Sequence, residues 1–420
     1  MLNILVNAYA VSPTKGSEPG VGWNWVVNLA RYCNVYVITE GEWKQDILEA
    51  VTKLPQRDNL HFYFNPVSAK IRKMCWNQGD WRFYWFYRQW QKKTFKIAQR
   101  IVRTNNIKII HQLNMIGFRE PGYLWKIEHV PFVWGPVGGM ELMPLNYLSG
   151  GTFKEKGKFL IKNVINNWQR HHQSRLISAL NHADSILAAT KGVYDVIRDY
   201  HRKDVVMMNE TGCYVQSNNL EDLNNYQLSE FNILWAGRFL FSKQLGLALK
   251  IIASLKKSHR IRFHIVGTGT KNEVEKYHKL ATHLGIDKLV IWHGQILHDE
   301  VLNLMKSSHI LLFTSVMEGT PHVVLEAIQS SLPIICFDAC GQAGVVNDKI
   351  GIKIPLSNTA QSVKDFVVAI EQLINSPKRL ATMRANCLIR QTELSWDSKA
   401  RQMIGIYNKI LDNERARHQH

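Results

Sequence analysis

The residues best suited to chemistry stand in one stretch, Phe313-Thr-Ser-Val-Met-Glu-Gly-Thr-Pro-His-Val-Val-Leu-Glu-Ala-Ile-Gln329. Its pattern predicts a strand ending near Thr314, a loop carrying Glu318 and Gly319, and a helix with Thr320 as N-cap and Pro321 at its first position. Such a turn aims free backbone N–H groups and the positive end of a helix dipole past the strand's carboxyl end, which suits a diphosphate. Glu318 on the loop and Glu326 further along the helix could bind separate hydroxyl-bearing parts of one ligand, with a sugar and a ribose as natural candidates. Taken alone, such a pair is also a common accident, with Glu326 a solvated helix residue.

These residues need elements to hold them. Strand-like apolar runs ending in Gly, Asn or Asp alternate with helical patterns through both halves of the chain, as expected for parallel sheets covered by helices. The clearest strands of the first half are 3–8, 35–39, 107–112, 130–135 and 185–189; those of the second are 232–237, 262–267, 290–294, 310–314 and 333–338. Residues 216–230 are rich in Asn and acidic side chains, lack a periodic apolar face, and read as a linker. The organisation expected is a first α/β domain over 1–215, the linker 216–230, a second α/β domain over 231–395, and a helical segment over 396–420.

At 420 residues the chain suits two domains, and 45% hydrophobic with 20% charged residues is ordinary globular composition. Six scattered cysteines without a Cys-x-x-Cys pair, and an N-terminus read as a buried strand rather than a signal sequence, point to a reduced cytoplasmic protein. No apolar run reaches the roughly 20 residues that span a bilayer. No phosphate-binding loop of the Walker type and no His-Glu-x-x-His zinc motif is present, and Gly267-x-Gly269 lacks the third glycine of a dinucleotide fingerprint because position 272 is Asn. The formal net charge of +18 calls for an anionic partner without choosing one.

The Glu318 to Glu326 arrangement, with Gly319 and Pro321 between, resembles the signature of the family-4 (GT4) retaining glycosyltransferases, also called group 1, whose GT-B fold sets two Rossmann-like domains facing each other across a cleft. Further segments agree in order. Trp235-Ala-Gly-Arg-Phe-Leu-Phe-Ser-Lys243 resembles the segment whose basic side chains, here Arg238 and Lys243, neutralise the donor diphosphate. Val266-Gly-Thr-Gly269 and His293-Gly294 resemble the next two loops, the second near the nucleobase. Gly16-Ser-Glu-Pro-Gly-Val-Gly-Trp23 resembles the glycine-rich loop near the donor phosphates and sugar, placing Gly16 and Ser17 there. Ser395-Trp396 through Tyr407 resembles the terminal segment that returns to the first domain. The sequence departs from the family at Gly344, where relatives usually carry an acidic residue, and at the Gly16–Gly22 loop, which is not a plain Gly-Gly pair.

The resemblance implies transfer of a sugar from a nucleoside-diphosphate sugar, UDP by default, to a saccharide or lipid-linked saccharide, with retention and with no cofactor or catalytic metal. In that scheme Arg238, Lys243 and backbone amides around Gly319–Thr320 and Gly16 stabilise the leaving diphosphate. Glu318 holds donor-sugar hydroxyls and Glu326 the ribose. His111, at the end of a strand, reads either as a contact to sugar or acceptor or as a strand-capping histidine. Other readings are a GT-B epimerase or phosphorylase and, from another class, a basic nucleic-acid-binding protein. Residues 70–103 carry ten basic and one acidic residue interleaved with aromatic rings. That composition suits an anionic membrane surface or single-stranded nucleic acid, against the plain alternative of core aromatics with solvated charges. Membrane contact is the choice made on the resemblance, with no nucleic acid expected and a peripheral position on the cytoplasmic face.

Overall fold

The computed structural model describes all residues except 78–79, 114, 116, 216–229, 256–259, 320 and 419–420. Two parallel sheets, each covered by helices, form two Rossmann-like units. The first contains β1 (Asn3–Asn7), β2 (Asn34–Thr39), β3 (Leu60–Phe64), β4 (Ile109–Gln112), β5 (Phe132–Val137), β6 (Ser185–Ala188) and β7 (Val206–Met207), in the order β3-β2-β1-β4-β5-β6-β7. The second contains β8 (Phe231–Ala236), β9 (Ile261–Val266), β10 (Val290–Gly294), β11 (Ile310–Phe313), β12 (Ile334–Phe337) and β13 (Gly351–Ile354), in the order β10-β9-β8-β11-β12-β13.

The central strands are apolar on both faces because helices cover both faces. Ile4, Leu5 and Val6 of β1 and Ile310, Leu311 and Leu312 of β11 are fully buried. Registers such as Leu5 opposite Tyr36 and Ile110, and Ile310 opposite Ile233, align these runs so that all carboxyl ends of a sheet lie along one edge.

Residues 143–148, which the sequence reading puts in the first domain, belong to the second core. Tyr147 donates to or accepts from Ser362 Oγ at 2.7 Å, accepts from the Ser357 N–H at 3.0 Å, and lies edge-on to Phe337. Its ring supplies apolar volume beside β12 that the second unit does not provide for itself. The linker expected over 216–230 falls, apart from Glu230, outside the described residues.

The helix Trp396–His418 returns to the first unit. Trp396 packs edge-on against Trp25, Tyr32 donates to Asp397 at 2.6 Å, and Lys399 Nζ donates to the Asn209 carbonyl at 2.8 Å. Beside this return, Cys213 and Ser395 pair as a parallel bridge, with the Cys213 N–H on the Leu394 carbonyl at 2.9 Å. Two chain crossings between the units therefore run side by side.

Candidate functional site

Where neighbouring strands of a parallel sheet send their connections in opposite directions, a crevice opens at their carboxyl ends. In the first sheet that point lies between β1 and β4; in the second it lies between β8 and β11. The chain leaving β1 carries Gly16 and Ser17, that leaving β8 carries Arg238 and Lys243, and that leaving β11 carries Glu318 and Gly319. The topology brings Gly16, Ser17, Arg238, Lys243, Glu318 and Gly319 to the switch points, while Gly267, Gly269, His293 and Gly294 lie at the ends of β9 and β10.

At the second crevice Lys243 Nζ meets Glu318 Oε2 at 2.5 Å, and Ser315 Oγ donates to the same oxygen at 3.2 Å. The two loops are laced together beneath this pair. The Val316 N–H donates to the Ser242 carbonyl at 3.0 Å, and Thr314 Oγ1 donates to the Lys243 carbonyl at 2.9 Å while accepting from Trp235 Nε1. Arg238 is exposed, one residue past Gly237. His322, which the sequence reading left aside, opens the following helix close enough to Glu318 and Lys243 for both charges to act on it.

That helix is His322–Gln329, so Pro321 is its N-cap and not its first residue: ψ of 82° is outside the helical range, and the Pro321 carbonyl accepts from the Val324 N–H at 3.0 Å. Thr320, expected as the cap, lies outside the described residues. Glu326 follows on the first turns, 4.0 Å from His298. Burial raises its pKa above the ordinary carboxylate value, with His298 acting in the opposite sense.

The glycines divide by what surrounds them. A Cβ on Gly267, at φ +121°, would fall 2.0 Å from the Gly237 carbonyl oxygen, and one on Gly269 would fall 2.8 Å from Phe239 Cβ. The Gly267 N–H also donates to the Gly294 carbonyl at 2.7 Å. These glycines let three loops close on one another. His293 stacks on His264, their ring nitrogens 3.0 Å apart. A Cβ on Gly16 or Gly319, in contrast, would meet nothing within 4 Å.

Those last two face a cavity of about 970 Å³ whose wall comes from the first unit, including Gly16, Ser17, Glu18, Gly138 and Glu210, with Gly319 contributed by the second. The Gly16–Gly22 segment is not wholly a loop: a helix takes over at Ser17 and runs to Leu29, so Gly20 and Gly22 are helical. Gly20 is small because Lys15 folds back, its carbonyl oxygen 2.4 Å from where a Cβ would be. The helix's first turn therefore opens on the cavity with Glu18, whose carboxylate accepts from the Met115 N–H at 2.7 Å and whose pKa is raised by burial. Glu18 and Glu210 went unassigned in the sequence. Glu18 had a signal, an acid inside a glycine-rich turn; Glu210 reaches the cavity only because β7 ends beside it.

His111 does not reach the cavity. It is 0% exposed, with Nε2 on the Gly135 carbonyl at 2.7 Å and Nδ1 on the Tyr407 hydroxyl at 2.6 Å. The carbonyl can only accept, so Nε2 carries the proton and Tyr407 donates to Nδ1. Burial holds its pKa down at about 4. The strand end points at the returning helix, and both ring nitrogens are engaged within the protein. Gly344, in place of the family's acid, has Asn209 Oδ1 at 3.4 Å from its would-be Cβ, so the position abuts the first unit.

Of the aromatic rings in 70–103, Phe83, Tyr87 and Trp90 are buried around Tyr9, while Trp76, Trp81, Tyr84 and Trp85 are exposed. Arg88 pairs with Glu120, and Lys92, Lys96 and Arg100 stay in solvent. Among the described residues no helix is long and apolar enough to cross a membrane, and no group of three or more His, Cys, Asp or Glu could hold a metal ion.

Residues 216–387 match the family model described as glycosyl transferases group 1. The chain is 25% identical over 187 residues to D-inositol 3-phosphate glycosyltransferase of Corynebacterium aurimucosum, covering 43% of this chain and 44% of that protein. It is 28% identical over 149 residues to lipopolysaccharide 1,6-galactosyltransferase of Salmonella typhimurium, covering 34% and 39%. These matches take in less than half the length of either relative. Among solved structures, a lipopolysaccharide outer core galactosyltransferase aligns over 98% of this chain and 100% of its own at TM-score 0.64 and 15% identity. HepE of Anabaena in complex with UDP aligns over 97% and 100% at TM-score 0.60 and 13% identity. Residues 216–387 therefore resemble the group 1 glycosyl transferases, in a chain with the two-domain GT-B fold.

Proposed function

We propose that the chain is a retaining glycosyltransferase of the GT4 type, moving a sugar from a nucleoside-diphosphate sugar, with UDP as the default nucleotide, to a saccharide or lipid-linked saccharide in cell-surface polysaccharide synthesis. The observation that carries this is the Lys243–Glu318 pair at the second switch point, with Gly319 beside it sharing one cavity wall with Gly16 and Ser17 of the other unit. A donor laid between them meets a cation, an acid and the start of a long helix from opposite sides. HepE, which aligns over almost the whole chain, was solved with UDP, and that supports UDP as the first donor to try.

Departure of the sugar leaves negative charge on the diphosphate and positive charge around the anomeric carbon. Lys243 moves from Glu318 onto the diphosphate, joined by Arg238 and by amides at Gly16–Ser17 and Gly319, which frees Glu318 for sugar hydroxyls. Glu326 holds the ribose; its desolvated carboxylate gains most from hydrogen-bond donors. Glu18 and Glu210 face the acceptor side. Positioning and electrostatics supply the rate, with no metal or cofactor. The six cysteines are unpaired, which fits a reducing compartment and a place on the cytoplasmic face. Of the exposed rings in 70–103, Trp76, Trp81 and Tyr84 line the cavity, which leaves Trp85 for a lipid surface.

The test is release of UDP from UDP-sugars on addition of saccharide acceptors, with the product anomer read by NMR and the assay repeated in EDTA. Acceptor-dependent release, a retained anomer and indifference to EDTA are expected. Turnover of the donor without any acceptor would point to an epimerase or hydrolase, and an inverted product would remove the mechanism.

A further inference from the structure

The helix Phe153–His172 is folded with its apolar side outward. A surface helix of a globular protein normally turns its apolar stripe to the core. Here the inward positions are polar apart from Phe159, which packs on Phe241: Asn163 exchanges hydrogen bonds with the Met143 backbone at 2.8 and 2.9 Å, and Asn166 donates to the Glu141 carbonyl at 2.8 Å. Arg170 donates to the Met140 carbonyl at 3.1 Å. The outward positions are Leu160, Ile161, Val164, Ile165 and Trp168, one stripe at helical spacing, with Ile161, Val164 and Trp168 exposed by 64%, 71% and 61%.

Charge says what covers the stripe. The helix holds five basic residues, Lys154, Lys156, Lys158, Lys162 and Arg170, against the single acid Glu155. Glu155 is spent on the capping box at Thr152. A groove of about 600 Å³ runs between this helix and Arg82–Asn105, lined by Ile161, Ile165 and Tyr84 together with Arg119, Lys158, Lys162 and the Arg88–Glu120 pair. Lys162 is held below its usual pKa, first by desolvation and then by repulsion from Arg119 and Lys158, so an anion in the groove would relieve it. From the helix Arg82–Asn105 the exposed Tyr84 lines the groove.

We propose that the helix Phe153–His172 lies in the headgroup region of an anionic lipid bilayer, its Leu160–Trp168 stripe immersed and its lysines on the lipid phosphates. An apolar stripe flanked by lysines with an aromatic ring at its end is what an interfacial helix needs. The polar contacts to 140–143 fasten it to the segment leading from Gly138 and Gly139 of the cavity wall, so docking sets the cleft beside the bilayer.

Vesicle sedimentation of the full chain tests this without donor or acceptor, so its failure would leave the transferase reading standing. The vesicles are phosphatidylcholine alone and phosphatidylcholine mixed with phosphatidylglycerol. Wild type should bind the anionic vesicles and lose them as salt rises. Ile161→Gln/Val164→Gln/Trp168→Gln, which keeps helix-forming residues on an exposed face, should bind them roughly tenfold or more weakly at unchanged melting temperature. Lys154→Glu/Lys158→Glu should lose the preference for phosphatidylglycerol. The proposal is overturned if wild type pellets equally with neutral vesicles, if the glutamine variant binds as well as wild type, or if light scattering finds a dimer that the glutamine variant dissociates.

Discussion

Lys243 and Glu318 satisfy each other across the gap between β8 and β11, and both side chains are largely shielded from solvent. A pair so placed gains little net stability, since desolvation offsets attraction. In the proposed function its use is to hold a cation ready where a diphosphate would arrive. Lys243→Ala should therefore lower kcat by about a hundredfold or more, the cost typical of removing one stabiliser of developing negative charge. Near-native melting should accompany that loss; a variant that melts early instead would make the pair structural. His111 behaves in the opposite way. Tyr407→Phe removes the donor to its buried Nδ1 and should cost about 1–3 kcal/mol in stability, with KM for donor unchanged. The acid on the β11 loop was legible because its type and spacing are unusual beside Gly319 and Pro321. The burial of His111 was not, because its partners Gly135 and Tyr407 are distant in sequence and only the fold brings them together.

Among the elements, the inner strands announced themselves, and of those at sheet edges only β10 did. Three strands had no counterpart in the sequence reading, β3, β7 and β13, and each is terminal in its sheet. An edge strand has one flank in solvent, so β3 keeps His61 among its residues, β13 keeps Lys353, and neither shows a continuous apolar run. The start of the first helix was missed for a related reason. Glycines in Gly16–Gly22 signal a loop by propensity, but tertiary contacts extend the helix back through Gly20 and Gly22 to Ser17. Elsewhere glycine is decisive. Gly267→Ala would place a methyl group 2.0 Å from the Gly237 carbonyl at a φ that alanine avoids. The loop carrying Arg238 and Lys243 has to move away, so nucleotide affinity should fall by tenfold or more alongside a loss of about 2 kcal/mol in stability. Calorimetry and urea unfolding of the same variant read both, and unchanged affinity would detach that loop from the donor.

For the whole molecule, the units are joined where Cys213 and Ser395 pair and again where Tyr147 enters the second core. Acid should loosen the fold. His111, His264 and His309 are each held at about 4, desolvation being the first cause in every case. The unfolded chain takes up their protons near pH 6.5, so the stability they confer is complete above that value and is lost as the pH falls from 6.5 towards 4. Melting temperature should drop across that window, and a flat profile would mean that these rings are open to solvent. The direction of the helix Phe153–His172 belongs to the same scale: its apolar periodicity was in the sequence, but which way the stripe faced depended on the polar contacts of Asn163 and Asn166 with 139–143.

The central claim is that the second unit binds a nucleoside-diphosphate sugar, and calorimetric titration with UDP, GDP, ADP and their common sugar conjugates tests it most directly. One nucleotide series should bind wild type and stabilise it against heat, with Glu326→Ala losing most of that affinity at unchanged fold. Absence of binding by every nucleotide, or equal binding by wild type and Glu326→Ala, would contradict the account.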